Sequence, residues 1–377
     1  MMHKFIHACA GSGKTESIVR KCSDDGGARR RLVLTLTTSG QDELESRLKR
    51  ACRAKNLPDV MGWYTFLIRH IIRPYLPLKF PKQRVEGFQF SLEDRTPRWR
   101  YNPKSNKDRY FTSQDFLFRD SIEELTAEIL KDASGKVEHR LSRIYDEILI
   151  DEAQDISRAG LDVIDALLCQ NAVSVTLVGD TRQSLLDSSL SSAKNKKADR
   201  LGLLNWYRQR ENSNFVKIEH LAESYRFNQL IADFSDQVFP KELDFEPTVS
   251  KMLVTTGHDG IFLVEEKYLE RYCATFDPVL LRHSRSSGKH LDSFQFATFG
   301  AAKGRTYDRV AIYTTQPMRD LLSKRKPLAE KSACEFYVGL TRAKYSVALI
   351  VKTASKNLRE STFGKLELWT PDTGRDS

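Results

Sequence analysis

No stretch of this chain stays apolar long enough to span a bilayer, and no hydrophobic segment of secretory type stands near residue 1, so neither membrane insertion nor export is expected. Cysteine is sparse. The six (Cys9, Cys22, Cys52, Cys169, Cys273 and Cys334) are scattered without close pairing, which argues against a zinc cluster and against a disulfide framework. A reducing cytoplasm is the compartment that this usage fits. Internal repeats and extended low-complexity tracts are missing too, so a repeat architecture is not expected. What the chain has is length and positive charge. Its 377 residues exceed one typical domain. Sixty Lys+Arg against 50 Asp+Glu leave a formal charge of +10, which suits a polyanionic partner or an ordinary basic surface equally well.

Short apolar runs bounded by turn formers recur at 32–36, 148–150, 173–178, 261–264, 279–281, 310–313 and 347–351, with helical patterns between them. Such spacing predicts βα units around buried parallel strands, hence an α/β fold in two lobes. The first lobe is expected over 1–72 and 144–210 and the second over 211–360, with 361–377 as a tail. A polar, small-residue seam at about 185–210 reads as a linker or a long surface loop. The span 73–143 breaks the pattern with Pro74, Pro77, Pro81, Pro97 and Pro103 before an amphipathic stretch at 121–131, and reads as an insertion in the first lobe.

Behind the apolar pair Phe5 and Ile6 stands Ala8-Cys-Ala-Gly-Ser-Gly-Lys-Thr15. A glycine-rich loop between strand and helix points backbone N–H groups and the positive helix end into one concavity, which suits phosphates. Ala10, Gly11, Ser12 and Gly13 form the cradle, Lys14 can reach the terminal phosphates, and the Thr15 hydroxyl can ligand an accompanying magnesium ion. The pattern departs in its first position, where Ala8 replaces glycine. Downstream, a buried strand ends in Asp151-Glu-Ala-Gln-Asp155. At that strand end Asp151 can hold magnesium through water, and Glu152 can orient or deprotonate an attacking water. Gln183 follows the next strand, where it can sense a γ-phosphate. Arg226 and Arg342 are candidate cations for charge developing on a phosphoryl group.

Taken in order, these segments resemble the UvrD/Rep/PcrA-type superfamily 1 DNA helicases. The resemblance runs to about Val351 and rests on Asp151-Glu-Ala-Gln-Asp155, on Val178-Gly-Asp-Thr-Arg-Gln-Ser184 and on Val338-Gly-Leu-Thr-Arg342. It implies two RecA-like P-loop lobes sharing one ATP and Mg2+ site. Lys14, Thr15, Asp151, Glu152 and Gln183 would come from the first lobe, Arg226, Arg342 and Gly304 from the second. Closure of the cleft on ATP would then couple hydrolysis to movement along single-stranded or tailed DNA, 3′ to 5′ as in most relatives. Nucleic-acid contacts would fall on Thr37, Trp63, Tyr64, Phe66, His283 and Thr298. The three aromatics read equally well as core residues of a helix.

Several positions depart from the family. Residues 1–7 leave no room for the glutamine-bearing segment that contacts adenine, Ser188 and Ser189 replace a base-stacking Trp-Arg pair, and Thr306 replaces a glutamate. The 1B-type insertion is modest, and little space remains between Arg226 and Lys303 for a 2B subdomain. In the insertion, Trp99, Arg100, Tyr101, Lys104, Lys107, Arg109, Tyr110 and Phe111 interleave cations with aromatics, as a nucleic-acid surface or a loop tied to its neighbour would. Two functions follow: a compact ATP-dependent DNA translocase or helicase, or a DNA- or nucleotide-sensing ATPase that controls a partner nuclease. Small helicase-like proteins in antiviral systems such as Gabija resemble the second.

Overall fold

The computed structural model describes residues 3–24, 29–90, 101–169, 172–185 and 201–371. Its first half runs β1 (His3–Ala8), α1 (Lys14–Ser23), β2 (Arg31–Thr35), α2 (Thr38–Ala51), β3 (Asp59–Gly62), α3 (Trp63–Phe66), α4 (Arg73–Lys79), β4 (Gly87–Gln89), β5 (Phe116–Phe118), α5 (Ile122–Ala133), α6 (Lys136–Ile144), β6 (Glu147–Ile150), α7 (Arg158–Cys169), β7 (Ser174–Gly179), α8 (Gly202–Asn212) and β8 (Val216–Leu221). The second half runs β9 (Glu223–Ser224), α9 (Gln229–Asp236), β10 (Val249–Ser250), β11 (Gly260–Glu265), α10 (Leu269–Phe276), β12 (Val279–Arg282), β13 (Ala297–Thr298), α11 (Phe299–Ala302), β14 (Tyr307–Tyr313), α12 (Gln316–Lys324), α13 (Glu330–Leu340), β15 (Ala343–Val351), α14 (Lys356–Arg359) and β16 (Glu367–Trp369).

Among the described residues β4 with β5 and β9 with β10 form two-stranded sheets, and twelve strands form two six-stranded sheets, ordered β3-β2-β6-β7-β1-β8 and β13-β12-β14-β15-β11-β16. Every pairing in both is parallel. Parallel strands need crossovers, and crossover helices cover both faces, so the central strands must be apolar on each side. β2 and β6 are buried at every position. In the first lobe Leu32, Leu34, Ile148 and Ile150 pack against α5 and α7. On the opposite face Val33, Leu149 and Val178 meet Ile18, Leu44 and Leu48 of α1 and α2. The second lobe repeats the plan, with Leu281, Ile312 and Leu349 against α9, α12 and α13 and Leu280, Ala311 and Ile350 against α10. These are the two RecA-like lobes expected from the sequence.

Two strands lie beyond the residue limits expected for the lobes. β8 begins past residue 210 yet pairs with β1 of the first sheet, and β16 pairs with β11 from within the stretch read as a tail. The span 73–143 does not stand apart as a body of its own, because Leu125, Ile129 and Leu130 of α5 share the first lobe's core with Ile148 and Val163. Residues 226–303 supply α9, α10, α11 and β10 to β13 of the second half.

Candidate active site in the cleft between the lobes

The phosphate loop follows β1 and caps α1. Gly13, the N-cap, has φ 77° and Gly11 has φ 76°, left-handed values that a side chain at either position would strain. Gly11 is also where the second lobe arrives: a Cβ there would stand 2.6 Å from both Arg226 Cβ and Ser224 Oγ. The Tyr225 N–H donates to the Gly11 carbonyl at 3.0 Å. The Ser12 hydroxyl is buried without a hydrogen-bond partner among the described residues, as fits a donor reserved for a phosphate oxygen.

The acids stand where β6 ends. Thr15 Oγ1 donates to Asp151 Oδ2 at 3.1 Å, so the two expected metal-binding groups meet. Glu152 holds a left-handed φ of 54°, an uncommon conformation for a non-glycine residue that directs its carboxylate toward Gln154, whose Nε2 donates to Glu152 Oε2. Burial, and then the adjacent Glu152, push Asp151 well above the usual carboxylate range. For Glu152 burial acts in the same sense, but Lys14 and Lys303 outweigh it and hold the group low.

Across the seam, Arg342 is 1% exposed and its Nη2 donates to Gln183 Oε1 at 2.9 Å. Its Nε and Nη1 donate to the carbonyls of Val338 and Arg305, each at 3.2 Å. Arg226 Nη1 donates to the Thr341 carbonyl at 3.3 Å. Burial, then the neighbouring Arg226, lower Arg342, and burial likewise lowers Arg226. The cleft thus holds an acid short of positive charge and two guanidiniums short of negative charge. One ligand, a metal-bound polyphosphate, corrects both imbalances, and the residues present fit it.

Of the residues singled out from the sequence, Ala10 to Thr15, Asp151, Glu152, Gln183, Arg226 and Arg342 converge on this cleft. Gly304 lies at its rim, exposed, with φ 82°. Thr37 is exposed just beyond β2 and caps α2 by accepting the Gly40 N–H at 3.1 Å. His283 and Thr298 are half-buried where β12 and β13 end, His283 Nδ1 lying 2.6 Å from Glu335 Oε2. Trp63 and Phe66 do not reach a surface on which a base could stack. They are 1% and 0% exposed in the first lobe's core, where Trp63 Nε1 donates to Glu123 Oε1 at 2.7 Å, so the core reading holds for both. Tyr64 packs partly against the same core with the Arg119 guanidinium 5.6 Å from its ring centre.

Part of the cation and aromatic stretch of the insertion is likewise committed to its own lobe, while Tyr101 is 85% exposed. Arg109 pairs with Glu124 at 2.8 Å, Lys104 with Glu128 at 2.8 Å, and Tyr110 and Phe111 are buried. Trp99, Arg100, Ser188 and Ser189 lie outside the described residues. Four residues without an assigned role join the site: Asp180, Arg182, Lys303 and Tyr337. Lys303 donates to Asp155 Oδ2 and to the Gln183 carbonyl at 3.2 Å, tying the lobes together. Tyr337 Oη accepts the Ala10 N–H at 3.3 Å. Asp180 and Arg182 have position within the motif 178–184 as their signal in the sequence, and nothing local says that any of the four faces another lobe.

Among the described residues no cluster of three His, Cys, Asp or Glu side chains could hold a metal, and no helix is long and apolar enough to cross a membrane. A family model described as the UvrD/REP helicase N-terminal domain matches residues 100–199, the segment that contains Asp151, Glu152 and Gln183. The chain is also 30% identical over 108 residues to an ATP-dependent helicase/nuclease subunit of Oenococcus oeni. That stretch covers 29% of this chain and 8% of that protein, so the chain spans far less than two thirds of its relative. With two parallel-sheet lobes meeting at a phosphate loop and an Asp-Glu strand end, the chain is similar in this segment to UvrD-type superfamily 1 helicases.

Proposed function

We propose that this chain is a compact ATP-dependent translocase or helicase acting on single-stranded or tailed DNA, with ATP hydrolysed between its two lobes. The observation that carries the reading is the hydrogen bond from Arg342 of the second lobe to Gln183 of the first, beside the phosphate loop. In this reading the backbone amides of the loop, the Ser12 hydroxyl and the Lys14 ammonium bind the phosphates. Thr15 and Asp151 would hold Mg2+, which when bound neutralises charge on the phosphate oxygens. Glu152, kept ionised by its cationic neighbours, takes a proton from the attacking water. Arg226 and Arg342 face the charge that develops on the γ-phosphoryl group, and because they belong to the other lobe, turnover is tied to closure.

Support for a DNA path comes from Thr37, His283 and Thr298. Each lies at or just past the carboxyl end of a parallel strand, the edge of such sheets where ligands gather. A second reading is favoured by the burial of Trp63 and Phe66, since base stacking contributes ~1–3 kcal/mol per base to a grip on single strands. In it, the chain is a DNA- or nucleotide-sensing ATPase that regulates a nuclease partner in a hetero-oligomer, as in antiviral defence, without processive unwinding. The name of the Oenococcus relative, which joins helicase to nuclease, is compatible with that partner. ATP turnover with and without single-stranded DNA, followed by strand displacement on a tailed duplex, separates the two. DNA-stimulated hydrolysis with displacement supports the motor, stimulation without displacement supports the DNA sensor, and hydrolysis indifferent to DNA refutes both of these and leaves only the nucleotide-sensing form of the second reading.

A further inference from the structure

A guanidinium buried between the lobes has no part in the chemistry above. Arg182 sits in the turn after β7, between Asp180 and Gln183, yet it is 2% exposed. Its Nε donates to Asp180 Oδ1 at 3.2 Å, and its Nη1 crosses the seam to donate to Asp236 Oδ1 at 2.8 Å. The guanidinium lies 4.8 Å from the ring centre of Tyr337 and 5.4 Å from that of Phe245. Asp236 ends α9 and is itself fixed, accepting the Thr248 N–H at 2.6 Å and the Thr248 hydroxyl at 2.9 Å. Both partners of the guanidinium are therefore held by other groups.

Asp180 carries the consequence to the cleft. Its second oxygen accepts Gln183 Nε2 at 2.7 Å and the Tyr337 hydroxyl at 3.4 Å. An amide has one donating end and one accepting end. With Nε2 given to Asp180, the Gln183 carbonyl oxygen must face Arg342, which is where it lies. That order depends on an ionised Asp180, because a protonated carboxyl donates. Asp180 is 0% exposed; burial alone would raise it, and Arg182 is the foremost of the charges that keep it low. A protonated Asp180 offers its O–H to the Gln183 carbonyl, the amide turns over, and two donors then confront each other at Arg342.

We propose that Arg182 is a positioning residue: by pairing with Asp180 and Asp236 across the seam, it fixes the Gln183 side chain in the one orientation that Arg342 can use. The inference rests on the reading of Gln183 and Arg342 as groups that act on ATP in the cleft. It goes beyond that reading in assigning their alignment to a residue that touches no substrate.

The test compares the full chain with Arg182→Met, Arg182→Lys and the double variant Arg182→Met with Asp236→Asn. kcat and KM for ATP are measured with single-stranded DNA present, alongside melting temperature. Arg182→Met is expected to lower kcat by about tenfold or more while KM moves by less than about threefold, the split of an interaction used in the transition state. Arg182→Lys keeps the charge without the fork and recovers part of kcat. The double variant removes the stranded Asp236 charge, so its melting temperature returns toward that of the wild type while kcat stays low, since Asp180 still lacks its partner. Recovery of kcat together with melting temperature overturns the proposal, as does wild-type turnover in Arg182→Met. A wild-type chain without ATP turnover overturns the underlying reading and the inference together.

Discussion

Replacing Arg342 by alanine is expected to separate binding of ATP from its hydrolysis. Its guanidinium makes three hydrogen bonds, two to carbonyls of its own lobe and one, at 2.9 Å, across the seam to Gln183. Burial and the adjacent Arg226 push it down to about 9, the mark of a cation that still lacks an anion. A guanidinium serving the phosphoryl transition state accounts for about 10³–10⁵ in kcat. At ~1.4 kcal/mol per factor of ten, that is ~4–7 kcal/mol of transition-state stabilisation. In the proposed reading the ground-state triphosphate is instead held by Gly11 to Thr15 on the first lobe. Losing the single bond to Gln183 removes at most ~1.5–3 kcal/mol, and that from closure of the cleft. The expected result for Arg342→Ala is thus a kcat lowered by about a thousandfold or more with nucleotide affinity within about tenfold of wild type. Phosphate release under saturating ATP gives the first quantity, and titration with a fluorescent nucleotide gives the second. A kcat within tenfold of wild type, or a loss of binding as deep as that of Lys14→Ala, refutes the argument.

Lys14→Ala and Glu152→Ala should each abolish ATP turnover, Lys14→Ala by weakening binding and Glu152→Ala with binding retained; nucleotide titration distinguishes them, and equal loss of affinity in both counts against the assigned roles. Trp63→Phe removes the bond to Glu123 and should cost ~1–3 kcal/mol in urea unfolding, with unchanged affinity for single-stranded DNA by fluorescence anisotropy. Weaker DNA binding at unchanged stability would instead restore Trp63 as a base contact. Burial and the Arg309 charge hold His258 down at about 4, where its ring stacks between Phe262 and Phe276. The unfolded chain, titrating near ~6.5, binds this proton first, so its contribution is complete above that pH and is lost as pH falls toward the folded value, by at most ~1.4 kcal/mol per pH unit. Melting temperatures at pH 7 and pH 5 should therefore differ less in His258→Phe than in wild type; an equal acid shift in both proteins contradicts the assignment.

The strands recognised in the sequence are those in the middle of the two sheets, and the ones missed are edges. β2, β6 and β7 are buried on both faces, so their residues form unbroken apolar runs that stand out against turns. β3, β8, β13 and β16 lie at the ends of the sheet orders, with exposed or half-buried positions in each. An edge strand need satisfy one neighbour only, and its composition merges into that of a loop. β8 and β16 therefore fell outside the expected lobe limits.

The same distinction holds for the site. A phosphate loop, an acid pair at a strand end and the order of the remaining motifs are properties of local chain chemistry, so Lys14, Thr15, Asp151, Glu152, Gln183, Arg226 and Arg342 could be singled out from sequence alone, and the fold brings them to one cleft. Whether an aromatic faces solvent or core depends on what packs over it. Trp63 and Phe66 disappear beneath α5 because Glu123 and its apolar neighbours come from sixty residues away. Arg182, Tyr337 and Lys303 owe their meaning to the meeting of two lobes, since a buried polar or cationic group is stable only where a distant chain segment brings it a carboxylate or an acceptor. The sequence by itself determined the chemistry available and the class of fold. Only the tertiary structure decided which charges lose their water and across which seam they find partners.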